Sequence, residues 1–198
     1  MKIAPVKLIL AASLFLSVSQ SVTAQLKLPL KNNALKTDLE QVIDDYPKEF
    51  ATLKGSVQAE NPQTVEYNSQ LRFSGSESCI ITRYTGAKAI YSFQAVMLTT
   101  EDFETAVKKY KWLFNQLKGM TVKVNRDYTF SLAGDYESPE ESRKFTSSVL
   151  RMLPSAVNVP KLKIEVSLQF EFPEWKVNLL VYEKEREDDE RGETEEGK

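Results

Sequence analysis

The sequence contains no histidine and one cysteine, Cys79, so any chemistry must come from carboxylates, amines, hydroxyls and aromatic rings. Without histidine, Ser-His-Asp and Cys-His nucleophilic systems are excluded, and a catalytic zinc site lacks its usual ligand. The common titrating switch near neutral pH is also missing. Two groups of residues remain. Acids gather at Asp127, Asp135, Glu137, Glu140 and Glu141. Paired carboxylates can act as acid and base on a glycosidic bond when burial separates their pKa values. The second group is Trp112 with Lys108, Lys109 and Lys111, and Lys118 farther along. A flat indole ringed by cations can stack on a sugar or meet an acidic partner segment. Trp112, Lys108, Lys109 and Lys111 are therefore the candidate binding residues. The plainer expectation is that Trp112 packs beneath a neighbouring helix.

Other signatures fail. No Gly-rich dinucleotide or Walker pattern occurs, and no Gly-x-Ser-x-Gly elbow. Asn125-x-Asp127 lacks the glycine and distal glutamate of a calcium loop. No cofactor and no metal are expected. Cys79, in Cys79-Ile80-Ile81, reads as a small buried hydrophobe, and a lone cysteine cannot close an internal disulfide.

The elements that must position these residues begin with the helix predicted over 99–119. Thr99 or Thr100 caps it, Glu101, Asp102 and Glu104 oppose the dipole, and Gly119 stops it. Phe103, Ala106, Val107, Tyr110, Leu113, Phe114 and Leu117 share one face, with Trp112 nearly opposite Tyr110. A capping box at Thr37-Asp38-Leu39-Glu40 predicts a short helix with Leu39, Val42, Ile43 and Tyr46 as its apolar stripe and a stop at Pro47. That helix needs a partner, which makes it the candidate cover for Trp112. Ser138-Pro139-Glu140-Glu141 predicts a second long helix, burying Phe145, Val149, Met152 and Leu153 and ending at Pro154.

Alternation predicts strands over 51–58, through Val65, Tyr67, Leu71 and Phe73 with Ser69 as a gap, over 79–84 and over 89–98, the last central because both faces are largely apolar. Two short strands follow, 121–124 and 128–132. The clearest pattern is a hairpin, with Leu162, Ile164, Val166, Leu168, Phe170 and Phe172 facing one way and Trp175, Val177, Leu179 and Val181 returning. From Ala89 the order strand, helix, strand, strand, helix, strand is that of a split βαβ, or ferredoxin-like, unit. The expected fold is therefore α+β, an antiparallel sheet carrying two long helices, with a short N-terminal helix and extra strands.

Residues 1–24 read as a signal peptide: Lys2 and Lys7, an apolar run, then Val22-Thr23-Ala24 before Gln25. Its apolar run is about half the roughly 20 residues that a bilayer span needs, so the mature chain is not expected to cross a membrane. Residues 25–182 form one domain. Residues 183–198 carry nine acids and four bases with no apolar residue, and read as a disordered acidic tail. The nearly neutral body offers nucleic acid no electrostatic footing. The expected function is a non-enzymatic binding or protein-interaction module in the periplasm or extracellular space, with an envelope protein or a glycan as partner. The alternatives are a His-free carboxylate-dependent hydrolase acting on a glycan, and a carrier of a small apolar ligand between helices and sheet, lined by residues such as Phe93, Phe114 and Phe170.

Overall fold

The computed structural model describes residues 32–86, 89–125, 128–154 and 162–183. The signal peptide read over 1–24, residues 184–198 of the acidic tail and Asp127 lie outside the described residues.

Period-two alternation governs most of the chain, and it builds one nine-stranded antiparallel sheet in the order β1-β2-β3-β4-β9-β8-β7-β6-β5. The first meander comprises β1 (Lys54–Glu60), β2 (Thr64–Ser69), β3 (Ser78–Tyr84) and β4 (Ile90–Thr100). The helix α2 (Phe103–Leu117) then carries the chain to the opposite edge. A second meander returns through β5 (Thr121–Val124), β6 (Tyr128–Gly134), β7 (Phe145–Leu153), β8 (Lys163–Glu171) and β9 (Glu174–Tyr182). The two meanders join where β9 pairs with β4, from Ser92–Tyr182 to Thr100–Trp175. The hairpin and the central place of β4 are as the alternation predicts.

The ferredoxin-like order with two long helices is not what forms. The described residues contain two short helices, α2 of 15 residues and α1 (Asn32–Asp45) of 14, beside the large sheet. The helix expected after Ser138 is strand β7. Along it Thr146, Ser148, Leu150 and Met152 are buried while Phe145, Arg151 and Leu153 are exposed, which is a period of two. The helically spaced Phe145, Val149, Met152 and Leu153 fall on both faces of that strand. Thr146, Ser147, Ser148 and Val149 are poor helix residues, through χ1 restriction or side chains that compete for backbone hydrogen bonds. The Ser138 box supplies only a turn, in which the Arg143 N–H donates to the Glu140 carbonyl at 2.9 Å.

One face of the sheet, called inner below, is covered by the helices and is strongly apolar: Phe93, Ala95, Ile164, Val166, Leu168, Val177, Leu179 and Val181 are all buried there. Helix α2 lays Ala106, Tyr110, Leu113, Phe114 and Leu117 against β4, β8 and β9. Its cap is Asp102, whose Oδ1 accepts the Thr105 N–H at 2.9 Å; Thr99 and Thr100 belong to β4 instead. Gly119, at φ +77°, stands just beyond the helix as expected. Helix α1 begins before Thr37, because Leu35 adds an earlier turn to the stripe of Leu39, Val42 and Ile43. It packs chiefly on β5. There Glu40 accepts the Lys123 N–H and Asp44 the Asn125 N–H, both at 2.8 Å, so a helix occupies the donors of an edge strand. No helix among the described residues is long and apolar enough to cross a membrane.

Candidate functional site

The inner face beyond α2 is roofed by the segment between α1 and β1. A 3-10 turn, Tyr46–Lys48, leads into Glu49 and Phe50, both left-handed, at φ +55° and +56°. Such backbone costs a non-glycine residue roughly 1–2 kcal/mol and persists only where the surroundings impose it. Two features impose it here. Phe50 is fully buried, 5.5 Å from the Tyr46 ring and 6.3 Å from the Phe93 ring. Buried Asp45 accepts the Thr52 and Leu53 N–H groups through Oδ2, at 3.0 and 3.2 Å. The result sets the Glu49 carboxylate against the Tyr91 hydroxyl.

Opposite this roof, β2, β3 and β4 place Val65, Arg83 and Tyr91 side by side across the sheet, and Tyr67 beside Ile81 one pair along. Arg83 therefore stands on a face whose earlier positions are Cys79 and Ile81. Its Nε is fully buried and has no hydrogen-bond partner among the described residues. Lys54, from β1, holds its Nζ 4.7 Å from the Tyr91 ring centroid and 5.6 Å from that of Tyr67, within cation–π range. Phenols engage the acids of the site: Tyr91 meets Glu49, and the Tyr46 hydroxyl donates to Glu183 Oε2 at 3.1 Å. The Tyr91 pKa is raised, first by burial and then by the Glu49 carboxylate, with Arg83 pulling the other way. Tyr46 is pushed well above the ordinary tyrosine range by burial first and Glu183 second. Both phenols thus stay protonated, as donors to carboxylates. Neither Arg83 nor Lys54 is in an ion pair among the described residues. A buried N–H left without an acceptor costs about 1–3 kcal/mol. Among the described residues the site therefore presents a guanidinium whose Nε–H has no acceptor, beside a ring-held ammonium.

Compared with family models, curated proteins and solved structures, the chain matches none. Its chemistry must be argued from its own residues.

The candidate binding residues of the sequence lie elsewhere, on α2. Trp112 is half-buried, with Lys109 Nζ 4.8 Å from its ring, while Lys108 and Lys111 are exposed on the same helix. Lys118 stands over Phe114 instead, at 5.6 Å. Of the acids, Asp135, Glu137, Glu140 and Glu141 are all exposed, and Glu137 is paired with Arg143 at 2.7 Å. Among the described residues no group of three or more acid, cysteine or histidine side chains is placed to hold a metal. Cys79 is half-buried beside Ala95, and its Sγ lies 3.2 Å from Ser76 Oγ and 3.4 Å from the Phe73 N–H. Phe93, Phe114 and Phe170 fall into three separate ring groups, with Phe50 and Phe73, with Tyr136, and with Trp175. A second open surface lies at the β8–β9 turn. There Phe172 is 89% exposed beside Phe170, and Lys144 Nζ stands 4.2 Å from the Phe170 ring.

Arg83, Lys54, Tyr67, Tyr91 and Glu49 are not among the candidate site residues of the sequence. One signal does point to Arg83: it is a cation in phase with the apolar positions Cys79 and Ile81 of a predicted strand.

Proposed function

We propose that the protein is an exported, non-enzymatic binding module that works in the periplasm or outside the cell on a partner of the envelope. Export rests on the basic start, apolar run and Val22-Thr23-Ala24 of the first 24 residues. The single observation that carries binding is Arg83, whose desolvated Nε–H lacks an acceptor among the described residues, beside Lys54 and two phenol rings. A cation left in that state is suited to a group arriving from outside.

Cell fractionation with intact-mass measurement tests export: the expected product starts at Gln25 and is found outside the cytoplasm. An uncleaved chain confined to the cytoplasm would refute it. The binding half is tested by equilibrium dialysis of the purified protein against an envelope extract, followed by mass analysis of what is retained. A ligand held stoichiometrically and released unchanged is expected, whereas chemical alteration of the retained molecule would show an enzyme.

A further inference from the structure

The β8–β9 hairpin ends in a chain of aromatic rings that runs from the core to solvent. Trp175 is 3% exposed, Phe170 and Phe103 are half-buried, and Phe172, in the turn itself, is 89% exposed. Ring centroids lie 4.8 Å apart for Phe103 and Trp175, 4.9 Å for Trp175 and Phe170, and 6.3 Å for Phe170 and Phe172. Turns favour glycine and small polar residues. A bare ring on a tight turn, backed by rings that reach the core, is instead suited to anchor a partner.

Two observations give the chemistry of that partner. First, the rings already hold a cation. Lys144 Nζ lies 4.2 Å from the Phe170 centroid and 5.9 Å from that of Trp175. It sits on an exposed side chain that makes no ion pair among the described residues. Ring faces attract positive charge, and an exposed lysine arm can be displaced by a cation that binds better. Second, acids outnumber cations around the rings. Glu171 and Glu174 face each other across the hairpin, and Glu101, Asp102 and Glu104 follow Thr100, the pairing partner of Trp175. Against them stand Lys144 and Lys176, the latter paired with Glu171, while Arg143 is taken up by Glu137 at 2.7 Å. The negative surplus attracts cations and repels anions. A lipid headgroup brings a phosphate with it, even where it also carries an ammonium, whereas a lysine or arginine side chain brings positive charge alone. We infer that Phe170 and Phe172, with Glu171 and Glu174 beside them, form a docking surface for a lysine or arginine side chain of a basic protein segment, with Lys144 as the resident competitor. This rests on the binding-module reading and adds to it a surface separate from Arg83.

The test uses the purified protein labelled with 15N, read at the Trp175 indole N–H and the backbone amides of Phe170, Phe172 and Trp175. The probes are acetyl-Ala-Arg-Arg-Ala-amide, its Gln counterpart and phosphatidylcholine vesicles, at constant ionic strength. The Arg peptide should shift these resonances saturably, with the Gln peptide at least about fivefold weaker. Phe172→Leu keeps an apolar side chain without a ring and should weaken the Arg peptide about threefold. The fold is not at stake there, because Phe172 is almost fully exposed. Lys144→Ala removes the resident cation and should tighten the Arg peptide by about two- to fivefold, a gain that a merely structural lysine would not give. Should Lys144→Ala disturb the fold, Lys144→Met keeps the stem and should give the same gain. Equal response to the Gln peptide, weaker binding in the Lys144 variants or indifference to Phe172→Leu overturns the proposal. So does an equal or larger shift with the vesicles, which would mark a lipid surface. If every probe fails while the envelope extract yields an unaltered ligand, this surface falls and the binding-module reading stands.

Discussion

Replacing Arg83 with methionine should stabilise the protein while removing its proposed binding chemistry. Methionine keeps an unbranched stem between Val65 and Tyr91, so little packing is lost. What disappears is a buried Nε–H with no acceptor, a burden of about 1–3 kcal/mol in the folded state. The guanidinium's remaining contacts are partly solvated, and such charges contribute about 0–1 kcal/mol. The difference favours the variant by about 1 kcal/mol, or a rise of about 2–4 °C in Tm for a protein of this size. Urea unfolding followed by circular dichroism measures it directly, as a higher midpoint at unchanged slope. Destabilisation by 1 kcal/mol or more, taken as about half the typical range for a broken polar contact, would refute the reasoning. It would mean that Nε–H finds an acceptor in solution and that the site is satisfied without a ligand.

Beneath α2, Tyr110 Oη and Ser148 Oγ lie 2.6 Å apart, and Ser148 also accepts the Glu137 N–H at 2.8 Å. Ser148→Ala should therefore cost about 2–3 kcal/mol by orphaning two groups, and Tyr110→Phe about 1 kcal/mol; urea midpoints in the reverse order would overturn this. Tyr46, Tyr91, Tyr110 and Tyr136 all have pKa values raised chiefly by burial. A raised phenol binds its proton more tightly when folded, so its contribution is complete below about pH 10 and is lost as pH climbs through the folded value. Absorbance at phenolate wavelengths should show these four ionising above the ordinary tyrosine range and together with unfolding, whereas their early, reversible ionisation would contradict the burial. Glu40→Ala with Asp44→Ala should uncover the β5 donors, costing about 1 kcal/mol after allowing for solvent exposure. Light scattering should report increased self-association, and an unchanged monomer would argue against edge protection by α1.

What the sequence makes legible are the elements with undisturbed periodicity. The β8–β9 hairpin could be read because six apolar residues alternate without a break from Leu162 to Phe172. Helix α2 was clear for the same reason, although its cap was assigned to threonines that continue β4. Strand β7 was misread because Thr146 and Ser148 are buried polar residues. Their burial depends on α2 and Tyr110, which local sequence does not reveal. A proline-containing cap signal next to four helically spaced apolar residues then outweighed a strand pattern with polar inner positions. The Arg83 site was unreadable as a site because its parts come from β1, β2, β3, β4 and the 46–53 segment. They meet only through strand register and a left-handed turn that no glycine announces. Trp112, by contrast, drew attention because of its type, and it lies half-buried with Lys109 on its ring.

The strand order has a consequence for how the chain is made. Strand β4 is apolar on much of both faces, yet its partner on one side is β9, the last strand described. During synthesis β4 must wait through α2 and four further strands with one edge open. An open apolar edge is the species most prone to join another chain. A nascent chain stopped before Trp175 would lose the seam between its two halves, not a peripheral strand. Premature termination late in the gene should therefore be as damaging as a lesion in the core, and the open edge of β4 is where a chaperone would be needed.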